Sequence, residues 1–217
     1  SSGLDADSDD GSSPGHARHW VYNDEWVKDL LEIKLVNEPG KKWVYADINA
    51  ALIGAIIEET SGMSLRDFAQ EKVFGPLGIK RVFWHTNDAN QTVAAGTLFL
   101  STLDFAKLGV LVTNEGKWAG EQIVQAAYIE KLLARKVFDL SEWWNIAETY
   151  GMLWYKNQET YNGKKIDFLW ASGNGGNHLV VIPEKKMVIA LTSTAYGSRY
   201  GQGRSRAILN KLLGALE

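Results

Sequence analysis

The first two thirds of the chain place hydrophobic residues three and four positions apart, which is the spacing of amphipathic helices. The strongest pattern predicts a helix over residues 48–60, with Gly62 after it as a stop. A hydroxyl followed three residues later by a carboxylate is typical of helix starts and occurs at Ser64 with Asp67 and at Ser101 with Asp104. Further helices are predicted over residues 23–31 and 125–136.

After about Tyr150 the pattern changes to short apolar runs that are typical of β-strands. Four strands are predicted, over residues 152–155, 166–170, 178–182 and 187–192. Asn162 and Gly163 form a hairpin-turn pair between the first two strands, and residues 183–186 join the last two, so both pairs should be antiparallel. An amphipathic helix from about Arg204 closes the chain.

Helices, then an antiparallel meander, then a covering helix together indicate an α+β fold. We interpret it as part of an αβα sandwich with an antiparallel sheet and a helical subdomain. Residues 1–149 should form a mainly helical region, and residues 150–217 should form antiparallel strands with a C-terminal helix. The two regions are expected to belong to one domain.

Composition narrows the class of function. The 217 residues are 45% hydrophobic and 23% charged, which is ordinary for a globular protein. The net charge of -3 argues against a nucleic-acid partner, and the longest uncharged apolar run, residues 92–103, is too short for a membrane span. Without cysteine there is no thiol nucleophile or thiolate metal site. Nine Trp exceed what the core needs, so some should line a pocket, and carbohydrate binding is one interpretation of them.

The first fifteen residues are rich in Ser, Gly and Asp and should form an irregular, exposed strap. The spacing of Asp5, Asp7 and Asp9 is similar to that of a calcium loop. However, Asp10 and His16 stand where that loop has Gly and Glu, so a solvated acidic loop is the better interpretation.

The common catalytic motifs are missing from the sequence. None of its four histidines lies in a nucleophile elbow, no zinc-protease motif occurs, and His178 in a strand is better explained as a structural residue. The run from Gly173 to Gly176 lacks the Lys of a phosphate loop. This run is either a tight bend at the end of a strand or a place where backbone N–H groups approach a substrate oxyanion.

Several segments in order carry a family resemblance. They read YADINAALIGAIIEETSG from Tyr45, then FGPLGI, then AGTLFLSTLDFAKLG, then WASGNGGNHLVVIPEKKMVIALT from Trp170. Together with the opening SSGLD, they resemble the serine β-lactamase and penicillin-binding-protein superfamily, on its class C β-lactamase and esterase side. The resemblance covers nearly the whole chain, and the order of the segments is more specific than any one of them.

The resemblance implies a set of site residues. Tyr45 occupies the place of the family's catalytic Tyr, although on its own it could be a buried aromatic with a satisfied hydroxyl. Ser172 and Gly173 match the end of the family's Lys/His-Thr/Ser-Gly motif, which makes the backbone N–H of Asn174 an oxyanion donor. Trp154 and Trp170 are candidates for the walls of an acyl pocket. The resemblance implies no metal and no organic cofactor.

Two residues depart from the family pattern. Asp47 stands where the family often has Asn, and a carboxylate cannot donate a hydrogen bond to a substrate carbonyl but could orient a Lys. Ala171 replaces a Lys or His and so removes a cation that would bind a substrate carboxylate. These changes favour an ester or a small amide over a β-lactam.

A third departure concerns the nucleophile, which in the family is the Ser of a Ser-x-x-Lys turn. No Ser in this sequence has Lys three residues later. The resemblance also implies that N-terminal strands, absent from this chain, pair with the strand at residues 187–192, which would otherwise be an unpaired edge. We therefore expect an incomplete domain, the C-terminal portion of a serine hydrolase, that is inactive alone and needs an N-terminal segment or companion chain.

The sequence also allows a function of another class. A noncatalytic binding module could keep the pocket and lack the nucleophile. Relatives in the family are often periplasmic or secreted, so the resemblance suggests such a location, which the residues themselves leave unknown. The substrate would be a small ester or amide.

Overall fold

The computed structural model describes residues 2–134, 138–140 and 147–216, and it divides into two units, Ser1–Leu100 and Ser101–Glu217. The regular elements of the first unit are mainly helices joined by long irregular segments, and the second unit combines helices with an antiparallel sheet. The α+β class expected from the sequence is therefore confirmed. The division into regions 1–149 and 150–217 stays a prediction.

The first unit contains three α-helices among its described residues, α1 (Trp26–Leu31), α2 (Asp47–Ser61) and α3 (Leu65–Ala69). A π-helical turn, Gln70–Phe74, continues α3, and a short ribbon pairs β1 (Phe83–Trp84) with β2 (Leu98–Phe99). A cluster of buried side chains joins the strap to α1 and α2; its members are Ala6, Trp20, Trp26, Leu30, Ile48 and Ala51. This cluster fixes the start of α2, where the Tyr-x-Asp motif lies.

The predicted helix signals of this unit are confirmed. Gly62 ends α2 in the left-handed conformation with φ 68°, which a residue without a Cβ adopts at little cost. The hydroxyl of Ser64 accepts a hydrogen bond from the Asp67 N–H at 3.1 Å and donates one to the Asp67 carboxylate at 2.7 Å. Ser64 is thus the N-cap of α3, and its pairing with Asp67 gives the capping-box-like start that the sequence indicated.

The second unit is organised by a sheet whose described strands run in the order β10-β9-β8-β7-β6-β5, all antiparallel. The strands are β5 (Phe138–Asp139), β6 (Thr149–Gly151), β7 (Trp154–Tyr161), β8 (Lys164–Gly173), β9 (Asn177–Ile182) and β10 (Met187–Leu191). A separate ribbon pairs β3 (Lys117–Trp118) with β4 (Glu121–Gln122). Within the described part of the sheet, β10 is the outer strand at one end.

Helices cover both faces of this sheet. On one face lie α4 (Thr102–Thr113) and α5 (Ala126–Ala134), which pack Val112, Ile129 and Leu132 against Leu169 and Val181. On the other face lies α6 (Arg199–Gly214), which buries Leu209 and Leu213 completely. The Ser101–Asp104 start of α4 is confirmed by hydrogen bonds of 3.1 and 2.8 Å, and the predicted end of α5 at residues 135–136 lies outside the described residues.

Several predicted boundaries are wrong. The helix predicted from residue 23 begins at Trp26, the strand predicted over residues 166–170 runs from Lys164 to Gly173, and two further errors are larger. The strand expected at residues 152–155 is β7, which begins at Trp154 and continues to Tyr161; Met152 and Leu153 have φ values of 54° and 65° in the preceding turn. The final helix begins at Arg199 rather than at about Arg204. In the first case, the polar residues of β7 lack the apolar pattern that predicts a strand. In the second case, two glycines near the start of α6 lower the helix propensity of that segment. The Asn162–Gly163 turn between β7 and β8 is confirmed.

Among the described helices, none combines the length and the hydrophobicity that crossing a lipid bilayer would require.

Candidate active site

The Tyr-x-Asp motif forms the turn that leads into α2 in the first unit. Ala46 occupies the N-cap position and has no side chain that could cap the helix. Ser8 of the strap takes over this role, because the Asp47 N–H donates to the Ser8 hydroxyl at 2.8 Å. The Ser8 N–H in turn donates to the Tyr45 carbonyl at 2.9 Å. The strap therefore holds both ends of the motif.

The strap is irregular as expected, but the expectation that it is exposed is wrong. Gly3, Ala6, Ser13 and Gly15 are all buried. A Cβ on Gly15 would lie 2.4 Å from that of Ala6, so the strap folds closely on itself. Its polar groups bond one another, as where the Asp7 N–H donates to the Ser13 hydroxyl at 2.9 Å. The prediction was wrong because it used composition alone, whereas these small polar residues form hydrogen bonds with one another inside the unit.

Tyr45 is half-buried, and its ring lies 6.4 Å from that of Trp43. Burial raises the pKa of the phenol above its ordinary value, and the negative charges of Asp47 and Asp9 raise that pKa further. In these surroundings the phenol is protonated at neutral pH. It can donate or relay a proton, and it would need a nearby cation to act as a base.

Asp47 is also half-buried, and burial raises the pKa of its carboxyl. A hydrogen bond with the Ser8 hydroxyl and the charge of His16 act in the opposite direction, whereas Asp9 adds to the increase. Tyr45 and Asp47 therefore lie two residues apart, and a nearby cation would favour the charged form of each side chain.

The glycine-rich run forms the turn between β8 and β9 in the second unit. Ser172 and Gly173 end β8, Asn174 begins the turn, and Gly175 and Gly176 follow with φ values of 87° and 90°. The Asn174 side chain accepts a hydrogen bond from the Gly197 N–H at 3.1 Å, and its carbonyl accepts one from Asn177 Nδ2 at 2.7 Å. The turn is thus a fixed bend that exposes Gly173 and Asn174.

The start of α6 packs directly on this turn. The Ser205 hydroxyl donates to the Gly176 carbonyl at 2.7 Å, and Gln202 Nε2 donates to the Gly173 carbonyl at 2.7 Å. The sequence interpretation missed these contacts, as it missed Ser8. The partners are 29 and 39 residues apart, and no local pattern connects them.

Trp154 and Trp170 lie on opposite faces of the sheet, because Tyr155 is the residue paired with Trp170. Trp170 is 3% exposed and donates from Nε1 to Asn157 Oδ1 at 3.0 Å, while Trp154 packs at the cluster below α4 and α5. Two side chains on opposite faces share no surface. Their role in an acyl pocket stays a prediction.

His178 lies in β9 beside Trp170, with the two ring centres 5.2 Å apart. It is 1% exposed, and neither ring nitrogen has a hydrogen-bond partner among the described residues. This packing agrees with a structural role. In the part of the chain that the structure describes, no three acidic or histidine side chains group as metal ligands would.

The sequence matches the family model described as Beta-lactamase over residues 1–213. This chain belongs to the beta-lactamase family. The resemblance seen in the sequence motifs is therefore confirmed over almost the whole chain.

Solved structures support the beta-lactamase-family fold. A penicillin-binding protein homolog from Caulobacter crescentus matches with a TM-score of 0.74 and 15% identity, over 99% of this chain and 69% of that one. A candidate 6-aminohexanoate-dimer hydrolase from Bacillus anthracis matches with a TM-score of 0.65 and 22% identity, over 88% of this chain and 49% of that one. At these identities the likeness shows the fold alone.

A candidate D-alanyl-D-alanine carboxypeptidase from Escherichia coli K12 is 32% identical over 62 residues, which are 27% of this chain and 14% of that protein. The chain spans about half the length of the Bacillus anthracis structure and a smaller part of the Escherichia coli relative. The chain is thus a hydrolase-related member of the beta-lactamase family, and the reaction of the whole protein is a matter for proposal.

Proposed function

We propose that these residues form the C-terminal portion of a serine hydrolase that acts on an ester or a small amide through an acyl-enzyme. The serine attacks the substrate carbonyl, the leaving group departs with a proton, and water then releases the acyl group. The nucleophile comes from a Ser-x-x-Lys segment outside these 217 residues, because no serine of this sequence has that pattern. That segment is either part of the same polypeptide or a companion chain.

Each predicted site residue has a role in this proposal. Tyr45 relays a proton, or acts as base once the Lys lies beside it. Asp47 orients that Lys, and the N–H of Asn174 stabilises the oxyanion. For Trp154 and Trp170, the proposal includes only a contact with the acyl group.

The observation that carries the proposal is the state of Tyr45 and Asp47. Both are half-buried, and burial raises the pKa of each. Groups with perturbed pKa values are concentrated at functional sites, and a lysine placed beside these two would favour the charged form of each.

Substrate charge is the second element of the proposal. Because Ala171 replaces a cationic residue of the family motif, a substrate without a carboxylate is favoured. An uncharged ester is therefore expected to be hydrolysed faster than a D-alanyl-D-alanine peptide, the kind of substrate named for the Escherichia coli relative.

The test compares the complete open reading frame that contains this sequence with the 217-residue chain alone. The complete product should hydrolyse p-nitrophenyl butyrate and be labelled by a fluorophosphonate on the Ser of a Ser-x-x-Lys, whereas the 217-residue chain should do neither. In the complete product, Tyr45→Phe should lower kcat/KM by about 10²–10⁴-fold. Labelling of the 217-residue chain, or no labelling of the complete product, would contradict the proposal and favour a noncatalytic binding module.

A further inference from the structure

We infer that Gln202 is a positioning residue that aims the N–H of Asn174 into the site. The inference rests on the proposed hydrolase function, in which that N–H stabilises the oxyanion. Gln202 lies in the first turn of α6 and uses both ends of its side-chain amide on the end of β8. Its Nε2 donates to the Gly173 carbonyl at 2.7 Å, and its Oε1 accepts from the Ser172 hydroxyl at 3.4 Å.

The Gly173 carbonyl and the Asn174 N–H belong to the same peptide group. That group is planar and trans, so its C=O and its N–H point in opposite directions. A donor that fixes the carbonyl oxygen therefore fixes the direction of the N–H as well. The hydrogen bond from Gln202 turns the Asn174 N–H away from α6, and a second donor, the Gly176 N–H at 3.3 Å, holds the same oxygen.

Gln202 can act this way only if α6 is held firmly against the turn, and glycines provide this close contact. A Cβ on Gly201 would lie 2.6 Å from the Gly175 carbonyl oxygen, and one on Gly176 would lie 2.4 Å from the Gly201 carbonyl oxygen. Backbone therefore meets backbone at this point. The Ser205 hydroxyl adds its hydrogen bond to the Gly176 carbonyl. The Gln202 amide is thus presented from a fixed support.

Such support matters because an oxyanion donor works by being oriented before charge develops. Removal of a whole donor costs about 10²–10³-fold in kcat. Loss of its orientation should cost less, about 10–100-fold, because the N–H remains present but misdirected. Binding of the uncharged ground state does not use this N–H strongly, so KM should change little.

The test uses Gln202→Ala and Gln202→Glu in the complete gene product. The second variant keeps the length of the side chain but places a carboxylate oxygen where the donor was. The matched control is Gln158→Ala on β7, which removes another glutamine whose Nε2 donates to a side chain, that of Asp167 on β8. With p-nitrophenyl butyrate, both Gln202 variants should lose about 10–100-fold in kcat with KM nearly constant, and the control should match the parent.

A second measurement does not depend on turnover. In the 217-residue chain, the ¹H–¹⁵N signal of the Asn174 amide should shift, and its hydrogen exchange should change, in both Gln202 variants and not in Gln158→Ala. If Gln202 only stabilised the fold, its variants would lower stability without a specific change in the signal of the Asn174 amide. Unfolding curves of the same variants show whether each remains folded.

The outcomes separate the two proposals. If the complete product is active and the Gln202 variants leave both kcat and the Asn174 amide unchanged, the inference on Gln202 is overturned and the hydrolase proposal stands. If the Asn174 amide responds but the complete product hydrolyses nothing, the hydrolase proposal falls, and the positioning role falls with it. A fall in kcat together with a response of the Asn174 amide supports both.

Discussion

His178 is buried without a hydrogen-bond partner for its ring among the described residues, and its ring packs at a tilt of 53° beside that of Trp170. Burial lowers the pKa of this imidazole from 6.5 to about 4, and the nearby positive charge of Arg206 contributes to the decrease. The folded protein therefore keeps His178 neutral over a pH range in which the unfolded chain protonates it. This difference makes one residue a source of acid sensitivity.

The sign of the effect follows from proton uptake. Between pH 6.5 and about 4, unfolding takes up a proton at His178, so the free energy of unfolding falls as the pH falls through this range. The complete effect is about 3 kcal/mol. His178→Phe keeps an aromatic ring beside Trp170 and does not titrate. Relative to the parent, this variant should gain stability steadily as the pH is lowered.

Urea unfolding of both proteins at pH 7.5, 6 and 4.5 measures this difference. Effects of other titrating groups cancel in the comparison, because both proteins contain them. A stability difference that is the same at all three pH values would show that His178 is not the acid-sensitive group.

At the scale of secondary-structure elements, α2 receives its N-terminal cap from Ser8, which lies 39 residues away. Ser8→Ala removes the acceptor for the Asp47 N–H and leaves that donor unsatisfied in half-buried surroundings. The free energy of unfolding should fall by about 1 kcal/mol, with 0.5–2 kcal/mol as the typical range for lost caps. Thermal or urea unfolding of the variant measures the loss.

Ser12→Ala is the matched control for Ser8→Ala. Ser12 belongs to the same strap, but it is exposed, and its hydroxyl donates to the nearby Asp10 carboxylate at 2.7 Å. Its loss should change stability by less than about 0.5 kcal/mol. Equal effects of the two variants would argue against the capping role of Ser8.

Two glycines in the first turns of α6 differ in the space that surrounds them. A Cβ on Gly201 would lie 2.6 Å from the Gly175 carbonyl oxygen, whereas one on Gly203 would meet nothing within 4 Å. Gly201→Ala should therefore destabilise the protein by about 1–3 kcal/mol through overpacking. Gly203→Ala in the same helix should stabilise it by about 0.5–1 kcal/mol, because alanine favours the helix. Unfolding curves that move in the same direction for both would contradict this distinction.

The sequence allowed the elements with local signals to be predicted. The caps at Ser64 and Ser101 and the stop at Gly62 depend on neighbours within a few residues, and all three are confirmed. The strand β7 was largely missed because its polar residues Asn157 and Glu159 face α6. There, Glu159 accepts a hydrogen bond from Arg206. Burial alone would raise the pKa of Glu159, but hydrogen bonds from Tyr161, Arg206 and Asn157 outweigh this effect and lower that pKa. A polar strand beneath a helix has no alternating apolar pattern to reveal it.

At the scale of the whole molecule, the family and the α+β class could be predicted from the order of several motifs. The contacts that organise the candidate site could not. Ser8 reaches Asp47, and Gln202 reaches Gly173, only after the chain has folded. Long-range hydrogen bonds of this kind have no signature in one sequence. The candidate site residues come from the sequence and stay predictions, whereas the structure shows which residues hold them in place.

The outer strand β10 is expected to make the 217-residue chain self-associate. Among the described strands β10 pairs with β9 alone, and its residues Met187–Leu191 are apolar and half-buried. An apolar edge of this kind is a template for association through strand pairing. We expect the chain to self-associate with rising concentration, and Ile189→Lys should weaken this by placing a charge on the edge. The control, Tyr128→Lys, changes a side chain of α5 that is 46% exposed and should have little effect. Sedimentation velocity over a concentration series measures the association, and an unchanged profile for Ile189→Lys would contradict the role of β10.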